Sequence, residues 1–291
     1  MIGLAPLRRL IGGRLGWWLL MPPLLICAAL VSFYLAFPSR TLQTRLQLEL
    51  AENLGLQSSM SPPQLRFPPG LACDRLDLAL PAPLDRPLPL RRVRVAPLWL
   101  SLLGKSPGLR FRAELNGGTL NGTARRDGQT TLAADQVAVE ESLLAPGGLI
   151  IQGVLLDSRF DGLLPLQAPG QRNLALTLDR VRLNGLKDYG ATEDSLELGR
   201  LMIRAEGEGK TLRLQQLTLQ GGAVEGSGQG AVLLGATPAA TRLNLTIQLR
   251  PGPGPGLDPT LRDLLNLVGS DGPNGSRRLR LSGSLQQPAL R

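Results

Sequence analysis

The sequence contains no histidine. That absence rules out a Ser-His-Asp triad, a Cys-His dyad and any histidine-ligated zinc. Two cysteines are too few for a four-cysteine zinc site or a cysteine-ligated iron–sulfur cluster. Aromatic residues make up 3% of the chain, which argues against a base-stacking platform for single-stranded nucleic acid. Lysine is scarce as well: of 32 basic residues only Lys105, Lys187 and Lys210 are not Arg. What is plentiful is apolar residue (43%), with 35 glycines, 24 prolines and a net charge of +9 over 291 residues. An apolar share of that size supports a folded core rather than wholesale disorder. The classes left open are binding, scaffolding and transport. No enzyme is expected, and no catalytic, cofactor-binding or metal-binding residue is assigned.

Trp17 to Phe37 is an apolar run of 21 residues that carries no charge. About 20 apolar residues cross a bilayer. Trp17 and Trp18 stand at one end and Tyr34 and Phe37 at the other, where interfacial aromatics belong. A cleaved signal peptide is the rival reading. The run is longer than the usual apolar core of such a peptide, and no small-x-small cleavage site ends it. The expectation is therefore an uncleaved transmembrane helix. Arg8, Arg9 and Arg14 precede it with no acid among them, which favours a cytoplasmic N-terminus. The bulk of the chain then faces the periplasm. Cys27 falls in the span and Cys73 beyond it, so the two are not expected to pair.

From Ser39 to Gly55, Leu42, Leu46, Leu50 and Leu54 recur at helical spacing. This predicts a juxtamembrane helix. After Pro62-Pro63 the period becomes two. Leu76 and Leu78, Val93 and Val95, and Leu109 to Leu115 alternate with polar residues. So do Leu174 to Leu178, Leu212 and Leu214, then Leu217 and Leu219, Leu243 to Leu249, and Leu279 to Leu285. Such alternation gives strands with one apolar and one polar face, and closely spaced turns make the sheet mainly antiparallel. Short helices are expected near 97–103 and 259–268. The expected layout is a cytoplasmic leader (1–16), a transmembrane helix (17–37), a juxtamembrane helix and linker (38–61), and a β domain (62–291). That domain is expected as a curved antiparallel sheet or partial barrel with a Leu-lined concave side.

The β region contains an internal repeat. Leu115-Asn116-Gly117-Gly118-Thr119-Leu120-Asn121-Gly122-Thr123 matches Leu219-Gln220-Gly221-Gly222-Ala223-Val224-Glu225-Gly226-Ser227 position by position. Both copies read as strand, tight glycine hairpin, strand. Gly117, Gly118 and Gly122, with Gly221, Gly222 and Gly226, are thus expected to have structural roles. Two related units, about 72–150 and 151–291, follow from this. The later run Gly226-Ser227-Gly228-Gln229-Gly230 lacks a following Lys and a helix, so it reads as strand glycine rather than a phosphate loop. Asp157, Asp161 and Asp179 read as a solvated polar face rather than a carboxylate site. Asp188, Glu193 and Asp194 lack the spacing of a calcium loop.

The run from Arg92-Val93-Arg94-Val95-Ala96-Pro97 through Gly117-Gly118-Thr119-Leu120-Asn121-Gly122 resembles the repeats of AsmA-like proteins. Together with the second copy and the ending Leu281-Ser282-Gly283-Ser284-Leu285, it looks most similar to the family of type II secretion system protein N. The resemblance implies an accessory inner-membrane component of a secretion machine that exports folded proteins. It also implies partners among other secretion subunits, met through strand edges or the juxtamembrane segment. A second implication is AsmA-like handling of lipid or lipopolysaccharide, with membrane lipid as partner and acyl chains in a groove. No cofactor and no nucleic acid are expected.

Overall fold

In the computed structural model, residues 39–291 are described apart from 55–56, 67–69, 80–86, 143–148, 165–168, 236–239, most of 254–269, 273–275, 285–287 and 291. Before residue 39 only positions 21, 25 and 32 are described. The expected span, with Trp17, Trp18, Tyr34 and Phe37, therefore lies outside the described residues, as does most of the expected 259–268 helix. Among the described residues no helix is long and apolar enough to cross a membrane.

From residue 39 the described chain forms α1 (Ser39–Leu54), then two short strands, β1 (Gln57–Met60) and β2 (Gln64–Arg66). Both lie along the outer side of β3 (Gly70–Ala79), β1 on its second half and β2 on its first. A meander follows through β4 (Pro87–Pro97), a four-residue helix α2 (Trp99–Leu102), β5 (Gly108–Leu115), β6 (Gly118–Arg125) and β7 (Gln129–Asp135). β7 and the next strand β8 (Val137–Ser142) share one side of β9 (Ile150–Leu163). The meander continues through β10 (Gln171–Asn184), β11 (Ser195–Glu208), β12 (Thr211–Gln220), β13 (Val224–Leu233) and β14 (Arg242–Pro251) to β16 (Arg277–Ser284). At the far edge β15 (Ser270–Asp271) and β17 (Pro288–Leu290) divide the outer side of β16. Among the described residues every pairing is antiparallel, and the 17 strands belong to one open sheet.

The sequence alternation sets the two faces. Leu174, Leu176 and Leu178 of β10 stand opposite Ala205, Ile203 and Leu201 of β11, and those stand opposite Leu214, Leu217 and Leu219 of β12. Glycines continue the same face on β13, opposite Leu245, Ile247 and Leu249 of β14. The other face carries Arg, Glu, Gln and Thr. Where the alternation slips by one, the chain has a bulge that keeps the apolar side chains together. Leu214 and Leu217 are three apart, and the ladder slips between them. Arg92 and Arg180 adopt left-handed backbone (φ 49° and 52°), which returns Val93 and Val181 to the apolar face.

The buried strand residues, including Leu90, Val93, Ala113, Val181 and Ala205, all lie on this face. Leu90, Val93 and Ala113 form a cluster with Cys73, Leu76, Leu78, Leu88, Val95, Leu115 and Leu120. Every member comes from β3 to β6, so the cluster is made within a single layer by cross-strand neighbours. Such pairs contribute roughly 0.2–1 kcal/mol each. A long ladder of them is the main source of cohesion here.

Candidate functional site

The repeat glycines fall at two places where another segment crosses closely. Gly117 takes φ 83° and Asn116 φ 45°, so the first copy closes as a two-residue turn between β5 and β6, Leu115 opposite Gly118. Left-handed backbone at both central positions is the type I′ hairpin, which Asn-Gly favours. In the second copy Gly221 again has positive φ (81°), but the last rung between β12 and β13 is Leu219 with Gly226. Gln220 replaces Asn116 there and does not take left-handed backbone, so the turn opens. The second glycine of each pair nevertheless does the same job. A Cβ on Gly118 would sit 2.5 Å from the Asp135 carbonyl, and one on Gly222 would sit 2.5 Å from the Glu197 carbonyl. Gly122 lies under the Phe111 ring, and Gly226 lies beside Leu249 and Leu219.

The polar face carries the charge. On the C-terminal half the charges pair across strands. Arg200 Nε donates to Asp179 Oδ1 at 2.9 Å, Arg182 Nη2 to Glu197 Oε1 at 2.5 Å, and Arg250 Nη2 to Glu225 Oε2 at 2.6 Å. Glu206 stands directly opposite Arg213. On the N-terminal half two like-charged pairs stand opposite each other, Arg75 with Arg91 and Arg94 with Arg112, beside one opposite-charged pair, Arg91 with Glu114. Arg75 and Arg92 turn instead to Asp77 and Glu114.

Two hollows lie on this face. The larger, about 1300 Å³, is lined by Pro89, Glu140, Gln152, Arg182, Arg200 and Glu225 among others. Its wall runs from β4 to β13. Eight strand spacings would hold those strands roughly 38 Å apart in a flat sheet, so the polar face bends around the hollow; the concave side here is the charged face and not the Leu-lined face that the alternation suggests. Its lining arginines (Arg180, Arg182, Arg200) are met by Glu140, Asp179, Glu197 and Glu225, so it selects weakly by charge. The smaller, about 380 Å³, is lined by Arg110, Arg112, Arg159, Asn121, Thr123 and Thr131. Asp161 lies 2.6 Å from Arg159 and raises its pKa further.

Asp157, Asp161 and Asp179 sit on β9 and β10, with Asp161 and Asp179 each committed to an arginine. Among the described residues no three of Cys, Asp and Glu gather as a metal site. Gly226 to Gly230 lie inside β13 with strands on both sides. Cys73 is a free thiol on the apolar face, and burial pushes it up.

Two features escape sequence reading. Arg172 is 1% exposed, at one end of the apolar face. Its guanidinium donates to the Gly209 carbonyl and, at 3.4 Å, to the Leu163 carbonyl, tying the ends of β9 and β11 to β10. The other is the α2 loop, which holds Trp99, Leu100, Leu102 and Leu103 out in solvent. Arg172 follows Gln171 in what reads as a polar strand start, and the short helix expected near 97–103 is present, but its apolar run reads as one that packs on the sheet. Neither carries a signal that its partners lie elsewhere.

Fold and faces together define an open, single-sheet antiparallel β protein with an apolar and a charged side. Set against family models, curated proteins and solved structures, the chain matches none.

Proposed function

We propose that this chain is an accessory inner-membrane component of a bacterial type II secretion system. In this reading residues 17–37 cross the inner membrane, the N-terminus is cytoplasmic and the sheet stands in the periplasm as a scaffold. It curves there as a partial barrel and helps connect inner- and outer-membrane parts during export of folded proteins. The observation that carries the reading is the fold of the run from Arg92 to Gly122. The residues that carry the resemblance form β4, α2, β5 and β6, one continuous piece of sheet. Docking by strand addition would use the outer sides of β1, β2, β15 and β17. These strands are four residues or fewer, and short edge strands discourage pairing. The juxtamembrane route is therefore favoured. α1 is held to β1 by Gln43 and Gln47 through the Met60 and Ser58 carbonyls.

A second reading is lipid or lipopolysaccharide handling. It is favoured by the half-buried leucine face, whose cluster draws its partners from one layer. Such a face is a surface on which acyl chains could lie.

The test is a clean deletion in the host, comparing extracellular protein with permeability of the outer membrane to a large antibiotic. Exported proteins trapped in the periplasm behind an intact barrier are the expected result. Normal secretion with a leaky barrier overturns the secretion role in favour of the lipid reading.

A further inference from the structure

The loop between β4 and β5 is an exposed apolar tip on an ordered base. Leu100 is 88% exposed and Leu103 90%, with Trp99 and Leu102 about half exposed at 49% and 50%. The base is held by hydrogen bonds. Ser101 Oγ donates to the Leu98 carbonyl at 2.6 Å and accepts from Gly108 N–H at 2.9 Å, and Leu98 N–H donates to the Gly108 carbonyl. The backbone thus fixes four large apolar side chains in water, where each is unfavourable. Clusters of this kind mark a contact surface.

The surroundings say which contact. From Arg92 to Arg112 the chain has five basic residues and no acid. Arg125 stands opposite Gly108, and Arg126 N–H donates to the Pro107 carbonyl, which brings two more arginines beside the loop. Asp127, the acid of that neighbouring turn, accepts from Gln129 N–H. An aromatic and aliphatic tip ringed by arginine and lysine matches an anionic bilayer interface.

The direction of α1 adds an independent argument. Gln43 lies level with Met60 and Gln47 with Ser58. Four helix residues rise about 6 Å and two strand residues about 6.6 Å, so α1 runs antiparallel to β1 with Ser39 beyond Met60. Met60 pairs with Leu76, and Leu76 with Leu90. Ser39 therefore points toward the end of the sheet where β3 begins and β4 ends. The α2 loop stands at that same end.

We propose that the α2 loop is a second membrane contact. Trp99, Leu100, Leu102 and Leu103 enter the interface of the bilayer that residues 17–37 span, and Lys105, Arg110, Arg125 and Arg126 meet its headgroup phosphates. This rests on the reading of residues 17–37 as a membrane span. The sheet would then be held at two points, by its anchor and by this loop, with a defined orientation over the membrane.

The test uses the full chain with Trp17→Phe and Trp18→Phe, which leaves Trp99 as the sole tryptophan. The chain is reconstituted in vesicles of phosphatidylethanolamine and phosphatidylglycerol, with or without brominated acyl chains. The expected result is blue-shifted Trp99 emission that the brominated lipid quenches. L100S together with L103S should remove most of that quenching while the chain still floats with the vesicles. Both positions are almost fully exposed, so the fold is not at risk. A chain that floats but whose Trp99 is unquenched overturns the proposal, and a loop serving a protein partner would give that result. A chain that does not float with vesicles overturns the span reading, and the proposal falls with it.

Discussion

The two copies of the glycine motif share their letters but not their turn. In the first, Asn116 and Gly117 make a two-residue hairpin. In the second, the ladder stops at Leu219 and Gly226 and the chain swings wide. One residue accounts for the difference: Asn tolerates left-handed backbone far better than Gln. Yet Gly118 and Gly222 are both crossed by a neighbouring backbone, at Asp135–Val137 and at Glu197–Leu198. The comparison teaches that the motif encodes a close approach between segments. The hairpin is a separate property, set by the residue before the glycines.

The sharpest way to break this comparison is to fill the glycines. Gly118→Ala and Gly222→Ala should each lower stability by about 2–3 kcal/mol, because the obstacle is backbone and must move. Gly226→Ala should cost about 1 kcal/mol or less, because its nearest obstacle is Leu249 Cδ2 at 2.7 Å, the free end of a rotatable side chain. Urea midpoints of the three variants would check this. A Gly222 variant as mild as the Gly226 variant would show that the second copy has lost the role of the first.

The halves also differ in how charge is arranged. The C-terminal half sets Glu206 against Arg213, while the N-terminal half sets Arg94 against Arg112. Directly opposed like charges destabilise a sheet and opposite charges support it. Arg94→Glu should therefore raise stability by about 0.5 kcal/mol, and Arg213→Glu should lower it by a similar amount. Both differences should shrink in high salt. If Arg94→Glu also weakens the quenching of Trp99 in vesicles, the opposed arginines are kept for the membrane surface at the expense of stability.

Much of this fold is legible because alternation is a local signal. The strands of β4, β5, β10, β12 and β14 can be read directly from leucine and valine spacing, and α1 from its four-residue leucine period. The break at Gln215-Gln216 is visible as a slip in phase, although the sequence alone leaves open whether it ends a strand or bulges within one. Other features are illegible for a physical reason. The bulges at Arg92 and Arg180 place arginine in left-handed backbone, contrary to local preference, because the ladder on both sides over-determines them. The burial of Arg172 depends on carbonyls 9 and 37 residues away. The bend of the polar face depends on the summed twist of many strands. No window of sequence contains any of these.

Cys73 offers the smallest and most selective probe of the N-terminal half. It stands opposite Val93 on the apolar face and packs against the cluster of Leu90, Val93 and Ala113. Burial pushes its thiol up, while hydrogen bonds from the Ser61 and Arg75 region pull the other way and lose. The unfolded chain therefore ionises first as pH rises. The stability linked to this thiol is full below the ordinary thiol range and is lost as pH climbs through the raised folded value. A pH series of urea midpoints should fall more steeply in alkali for the native chain than for Cys73→Ala, and alkylation should be slower folded than unfolded. Equal slopes and equal alkylation rates would mean that the leucine face around Cys73 opens freely to water. In that case the N-terminal cluster would be no tighter than the half-buried leucines of β10 to β14, and the difference between the halves would reduce to charge.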